Sequence, residues 1–294
     1  MVNIYLNHRF SDQKRRERIF SGDLLLYSRG AATAALTDHA ISMIGEAFAP
    51  YAPETAQYEL SVEEFVKRVG PLKSKFTNDH RTKELVRNLL IEFGCDLNDT
   101  FFDVPRLRVV PAHGYLTSGV SYAYKAHRDT WYASPVSQLN WWMPVFDVTG
   151  ERSMSFYADY WTKPLANSSA EFDYGEWCRV GRTLATSQIE TDTRKHPLPQ
   201  SAPDKSSEIR INGTSGDVIV FSSSHLHETV ANESEVTRFS IDFRTIALSD
   251  IESGRGAPNV DTRATGSTLG DFLRGSDFAP IADPEQYLHA VAHV

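Results

Sequence analysis

Only two cysteines, Cys95 and Cys178, occur in the chain, in unrelated contexts. They support neither a disulfide framework nor a thiolate metal site, and fit a reducing compartment. No stretch approaches the ~18 apolar residues of a membrane span, and Met1 to Phe20 carries charges throughout where a signal peptide needs a continuous apolar segment. Basic side chains are in deficit, since 30 Lys and Arg against 38 Asp and Glu leave a formal charge of −8. That argues against nucleic acid or an anionic membrane as partner, because such binding needs cations facing phosphates. The one short basic cluster, Lys14, Arg15, Arg16 and Arg18, is broken by Glu17 and reads as a solvated helix face. We therefore expect a cytoplasmic, untethered protein with a small-molecule partner, a homodimer being left open.

What is present is an ordinary globular composition, with 41% hydrophobic and 23% charged residues among 294. The chain is long enough to bury a sizeable core, but its length alone does not decide between one domain and two. From about residue 11 to 97 the apolar spacing is helical: Leu36, Ala40, Met43, Ile44, Ala47 and Phe48 follow three- and four-residue steps, as do Leu85, Leu89 and Phe93. Ser61 and Glu64 have capping-box spacing, and Gly94 sits where a helix C-terminal glycine belongs. After Thr100 the texture becomes strand-like. Leu107 and Val109 alternate with Arg106, Arg108 and Val110, Gln138 to Val148 is aromatic and β-branched, and strands resume from Ile209 to Ile246 past a turn at Gly213 and Gly216.

Helices followed by many strands predict an α+β fold in which the helices pack on one sheet of a double-sheet jelly roll, or double-stranded β-helix. We expect a single domain over residues 1–294: a mainly helical part over 1–100, a jelly-roll core over 101–247, and an extension over 248–294 with a short helix near Leu269 to Leu273. A polar, proline-punctuated insertion over 163–207 is too long for a routine connection and reads as a lid.

The segment His127-Arg128-Asp129 places an imidazole and a carboxylate two residues apart. If it is extended, both project to one face and can meet one ion. Downstream, Gly216-Asp217 opens an apolar run that leads to His225 and His227, which would share a strand face, so that either can supply a third ligand. Two imidazoles and one carboxylate make the facial triad that leaves positions open on non-haem Fe(II). On the next strand Arg238, Ser240, Asp242 and Arg244 alternate with Phe239, Ile241 and Phe243, and Arg238 with Ser240 can clamp a carboxylate by a charge-assisted pair plus a hydroxyl hydrogen bond.

The string His127-x-Asp129, then Gly216-Asp217, then His227-Glu228-Thr229-Val230-Ala231-Asn232-Glu233-Ser234 and Arg238 resembles the phytanoyl-CoA dioxygenase-like (PhyH) family of Fe(II)/2-oxoglutarate-dependent oxygenases. The match covers about half the chain, roughly Leu107 to Ile246. The resemblance implies that His127, Asp129 and His227 hold Fe(II), and that Arg238 and Ser240 anchor 2-oxoglutarate. It places Asn140 and Trp142 on the face lining the cosubstrate pocket, makes dioxygen the second cosubstrate, and leaves His225 as a neighbouring core histidine. The spacings from Asp217 and to Arg238 favour His227 as the distal ligand. Related halogenases carry Gly or Ala in place of Asp129, so a carboxylate here implies oxygenation rather than halogenation.

The implied reaction is oxidation of a C–H bond in a small metabolite of secondary metabolism, with release of succinate and CO2. Hydroxylation is the first expectation, desaturation or cyclisation the related ones. Two rivals remain: a non-catalytic, cupin-like or carbohydrate-binding jelly roll, and a zinc hydrolase, since the same triad suits catalytic zinc. Arg128, Tyr122, Tyr124, Trp131 and Arg152 lie near the ligand segment and are candidates for substrate contact, with surface placement the first expectation for each.

Overall fold

The computed structural model describes residues 2–287. After the short strand β1 (Ile4–Leu6) comes α1 (Asp12–Phe20), capped by Ser11, whose hydroxyl accepts from the Lys14 N–H. Strand β2 (Leu24–Tyr27) pairs in parallel with β1 and interrupts a region whose spacing read as helical. Both strands are too short to leave a periodic trace, and their place is set by pairing of β2 with a strand nearly two hundred residues away. Helices α2 (Ala31–Phe48), α3 (Val62–Asn78) and α4 (His80–Glu92) follow. The Ser61 and Glu64 capping box forms at the start of α3, and Gly94, at φ +70°, follows α4.

Strands β3 (Thr100–Asp103), β4 (Arg106–Val110) and β5 (Leu139–Pro144) lead to β6 (Met154–Tyr157). Residues 163–207 contain no strand. They form short helical turns, including α5 (Tyr174–Glu176), and precede β7 (Glu208–Arg210). Then come β8 (Val218–Ser222), β9 (His227–Thr229), β10 (Arg238–Ala247), α6 (Leu248–Glu252) and β11 (Phe272–Arg274). The short helix expected near Leu269 to Leu273 is a single 3-10 turn over Thr268–Asp271 that ends early, because Phe272 and Leu273 extend the open edge of β3 and bury Phe272 beside Phe101 and Ile246.

Eight strands form one mixed sheet in the order β1-β2-β8-β5-β10-β3-β11, with β4 pairing β10; three more form the sheet β7-β6-β9. The main core lies between α2–α4 and one face of the large sheet, where Phe48, Phe65, Phe76 and Leu89 meet Val109, Trp141, Phe239, Ile241 and Phe243. Each of these large side chains contributes roughly 1.5–3 kcal/mol on burial. The two-residue period of β10 then forces Arg238, Ser240, Asp242 and Arg244 onto the opposite face, towards the small sheet. Arg15, read from sequence as solvated, is only 2% exposed. It pairs with Asp12, donates to the Phe93 carbonyl (2.8 Å) and lies over the Trp141 ring at 5.6 Å, because α1 packs against β2 and β8 and so faces the core rather than solvent.

Candidate metal and cosubstrate site

His127 and His227 face each other as a hydrogen-bonded antiparallel pair, each N–H donating to the other's carbonyl at 2.9 Å. The pairing brings the two rings together with centroids 4.4 Å apart and planes tilted by 48°. The segment does not stay extended through Asp129, which opens a 3-10 turn over Asp129–Tyr132. That turn still carries its carboxylate back to the imidazoles: Oδ1 lies 3.4 Å from His127 Nε2 and 3.8 Å from His227 Nε2. Ligand atoms from all three residues lie within 4.8 Å of one another, and all three residues are buried.

Hydrogen bonding decides which ring nitrogens face the centre. His127 Nδ1 lies 2.8 Å from the Lys125 carbonyl and His227 Nδ1 2.9 Å from the His225 carbonyl. A carbonyl only accepts, so each Nδ1 carries the proton and each Nε2 presents a lone pair. Burial and the adjacent His127 push His227 down to about 3, which keeps that ring neutral at physiological pH. Burial opposes the charge on Asp129, but the Arg244 guanidinium and the two imidazoles outweigh it and hold the carboxyl well below the usual range. Its other oxygen, Oδ2, accepts from Gln138 Nε2 (3.2 Å) and lies 3.5 Å from Arg244 Nε. One oxygen is thus tied down and the other is turned towards the imidazoles.

Neither Gln138 nor Arg244 was singled out from sequence. Both carried a signal, because Gln138 precedes Asn140 by one period of β5 and Arg244 continues the alternation of Arg238 and Ser240.

His225 is excluded from the centre. It lies in the turn before β9, not on a shared strand face, and is 3% exposed. Its Nδ1 accepts from the Ser222 N–H (3.1 Å), so its Nε2 donates to the Gly22 carbonyl (3.0 Å).

A cavity of about 750 Å³ opens beside the triad, lined by Asn140, Trp142 and Arg238. The Arg238 guanidinium lies over the Trp142 ring at 5.8 Å, and its Nη1 donates to the carbonyls of Ser153 (3.0 Å) and Arg152 (3.3 Å). Its Nε and the hydroxyl of Ser240, two residues on along the same face, are both buried without a hydrogen-bond partner. Burial, reinforced by Arg108, pushes the Arg238 guanidinium down to about 10. Asn140 Oδ1 accepts from Gln138 Nε2 (2.8 Å), so Asn140 supports the residue that holds Asp129. Asn232 and Ser234 lie in the loop between β9 and β10. Asn232 Nδ2 donates to the carbonyls of Val110 and Val236, both at 2.8 Å, which fixes the distance from His227 to Arg238.

Several residues expected at the surface are not there. Arg128 is fully buried, its side chain turned away from the triad, where it grips Asp261 (3.1 Å to both oxygens) and the carbonyls of Tyr160 and Ser224. Trp131 is also fully buried and donates to Asp261 (2.6 Å). Residues after β10 thereby anchor the ligand segment, a long-range contact that no local pattern announces. Tyr122 and Tyr124 line the cavity, while Arg152 is half-buried.

No family model matches the chain, and no curated protein matches it in sequence. Among solved structures the chain is similar to several at low sequence identity. EvdO2 from Micromonospora carbonacea var. aurantiaca, complexed with 2-oxoglutarate, is 13% identical over 81% of this chain and 91% of that one, with a TM-score of 0.48. The non-heme alpha ketoglutarate dependent epimerase SnoN from nogalamycin biosynthesis is 14% identical over 93% and 98%, with a TM-score of 0.40. EctD from S. alaskensis is 13% identical over 95% and 86%, with a TM-score of 0.42. At such identities and scores, the assignment of chemistry falls to this chain's own side chains.

Proposed function

We propose that the chain is a non-haem Fe(II)/2-oxoglutarate-dependent dioxygenase that hydroxylates a C–H bond of a small metabolite. The reading takes the core as a double-stranded β-helix, supported by the way β4, the His127 bridge, β5, β6, β7, β8, β9 and β10 divide into β4-β10-β5-β8 on one side and His127-β9-β6-β7 on the other.

The single observation that carries it is the juxtaposition of two sets of groups: the triad and Arg238 line one cavity, and Ser240 follows Arg238 on the same face of β10. One set is two Nε2 lone pairs and one anionic oxygen turned towards one another; the other is a buried guanidinium N–H and a buried hydroxyl without a hydrogen-bond partner. The first fits Fe(II), whose N2O facial sites leave positions open for further ligands. The second fits the distal carboxylate of 2-oxoglutarate, since leaving such groups unpaired is costly and a carboxylate satisfies both. Bound iron with 2-oxoglutarate and dioxygen would supply the oxidising power, with succinate and CO2 as by-products.

The protein's part is orientation and exclusion of water. Gln138 and Arg244 keep Asp129 from rotating, the Lys125 and His225 carbonyls hold both imidazoles in one tautomer, and Trp142 and Phe221 wall the cosubstrate side. Anaerobic addition of Fe(II) and 2-oxoglutarate is expected to give a weak visible charge-transfer band. With Mn(II), 2-oxoglutarate is expected to raise the melting temperature where neither does so alone. Absence of both effects in metal-replete protein would reject the assignment in favour of a zinc hydrolase or a non-catalytic module.

A further inference from the structure

The cavity's charge runs against that of the molecule. The chain carries −8 overall, yet seven basic and only four acidic side chains line the cavity. Most of these cations are spoken for. Arg106 pairs with Asp103, Arg108 with Asp242, Arg182 with Asp271, Arg194 with Asp192, and Arg244 with Asp103. Arg238 is taken by the carboxylate clamp proposed above. Lys73, on α3, remains. Among the described residues it is in no ion pair, and its Nζ donates only to the Val120 carbonyl.

Three observations place this amine at one end of a track leading to the triad. Arg194 donates to the neighbouring carbonyl of the same turn, Gly119 (3.3 Å), so both cations converge on Gly119–Val120. The Arg194 guanidinium lies over the rings of Tyr122 (5.8 Å) and Trp177 (5.6 Å). From Tyr122 the rings continue to Tyr124 (4.9 Å) and then to His127 (5.2 Å).

Resting on the oxygenase reading, we propose that the substrate is an anion of small-metabolite size, whose acidic group sits on Lys73 beside Arg194 and whose body lies along Tyr122 and Tyr124 towards the triad. Burial and the guanidinium of Arg108 push Lys73 down to about 7, and an arriving anion restores its full charge. Iron and 2-oxoglutarate bring equal and opposite charges, so loading them leaves the cationic excess for the substrate to neutralise. Two ring-to-ring steps set the reach from the acidic group to the oxidised carbon, which suits a carboxylate or phosphate ester on a compact, ring-bearing scaffold.

The test uses the whole protein loaded with Mn(II) and 2-oxoglutarate, titrated with benzoate, its neutral counterpart benzamide, and inorganic phosphate, and followed by calorimetry. Benzoate or phosphate is expected to bind at least about tenfold tighter than benzamide. Lys73→Met is expected to erase that preference and Lys73→Arg to restore it, which separates lost charge from lost folding. The relative strength of benzoate and phosphate tells a carboxylate from a phosphate ester. Equal binding of benzoate and benzamide to the unaltered protein overturns the proposal. So does a preference that survives Lys73→Met, or benzoate that competes with 2-oxoglutarate and so occupies Arg238 instead. Failure of the Mn(II) protein to bind 2-oxoglutarate, with the anion preference intact, rejects the oxygenase reading and leaves the anion seat standing.

Discussion

Replacing Arg238 by Met separates a side chain kept for ligand from one kept for folding. In the unliganded protein the guanidinium is almost fully buried, with two carbonyl hydrogen bonds and an orphaned Nε. Burial lowers the guanidinium to about 10, which corresponds to a cost on the order of 3 kcal/mol for holding the charge there at neutral pH. The two carbonyl hydrogen bonds return about 1–1.5 kcal/mol each, and Met replaces the apolar stem of the buried side chain. The opposing contributions nearly cancel, so Arg238→Met is expected to change the stability of the metal-free protein by no more than about 1 kcal/mol. Binding of 2-oxoglutarate is different. A buried charge-assisted pair contributes roughly 3 kcal/mol, so its dissociation constant is expected to rise about a hundredfold. Calorimetric unfolding of the free protein and titration of the Mn(II) form with 2-oxoglutarate read the two effects separately. A variant that unfolds several kcal/mol more easily, or that binds 2-oxoglutarate as tightly as the parent, would refute the reasoning.

Asp129→Ala is expected to abolish metal binding and succinate release while the fold survives, since Arg244 keeps Asp103 and Asp242 as partners; metal titration alongside circular dichroism checks both halves. Gln138→Leu frees Asp129 Oδ2 to rotate and is expected to weaken Mn(II) binding roughly tenfold without eliminating it. His225, pushed by burial from 6.5 to about 4, gives a pH signature in stability. Between those values the unfolded chain binds a proton that the folded chain refuses, so this contribution is fully present above pH 6.5 and is lost as pH falls towards 4. The loss is on the order of 3 kcal/mol. Denaturation at pH 7.5 and pH 5 is expected to show a smaller gap in His225→Gln than in the parent, and an unchanged gap would remove His225 as the cause.

Helix existence, the capping box at Ser61, the alternation of β10 and the three candidate ligands were all legible along the chain. Each depends on neighbours within a few residues or on fixed spacings between chemically distinctive side chains. The same alternation drew attention to Arg238 and Ser240, because a strand with one wholly apolar face must turn its polar residues the other way.

What was not legible depends on partners far away in sequence. The burial of Arg15 and Arg128, the joining of β1 and β2 to the large sheet, and the strand at 272–274 arise from contacts with residues as distant as Trp141, Asp261, Val220 and Phe102. The exclusion of His225 from the centre needed the carbonyl of Gly22, some two hundred residues earlier. Residue identity and local period determined which side chains could hold an ion and which faces could be buried. Tertiary packing decided which nitrogen carries the proton, which oxygen is restrained, and which cation keeps no counter-charge, because electrostatic and hydrogen-bond energies follow distance in space rather than order along the chain.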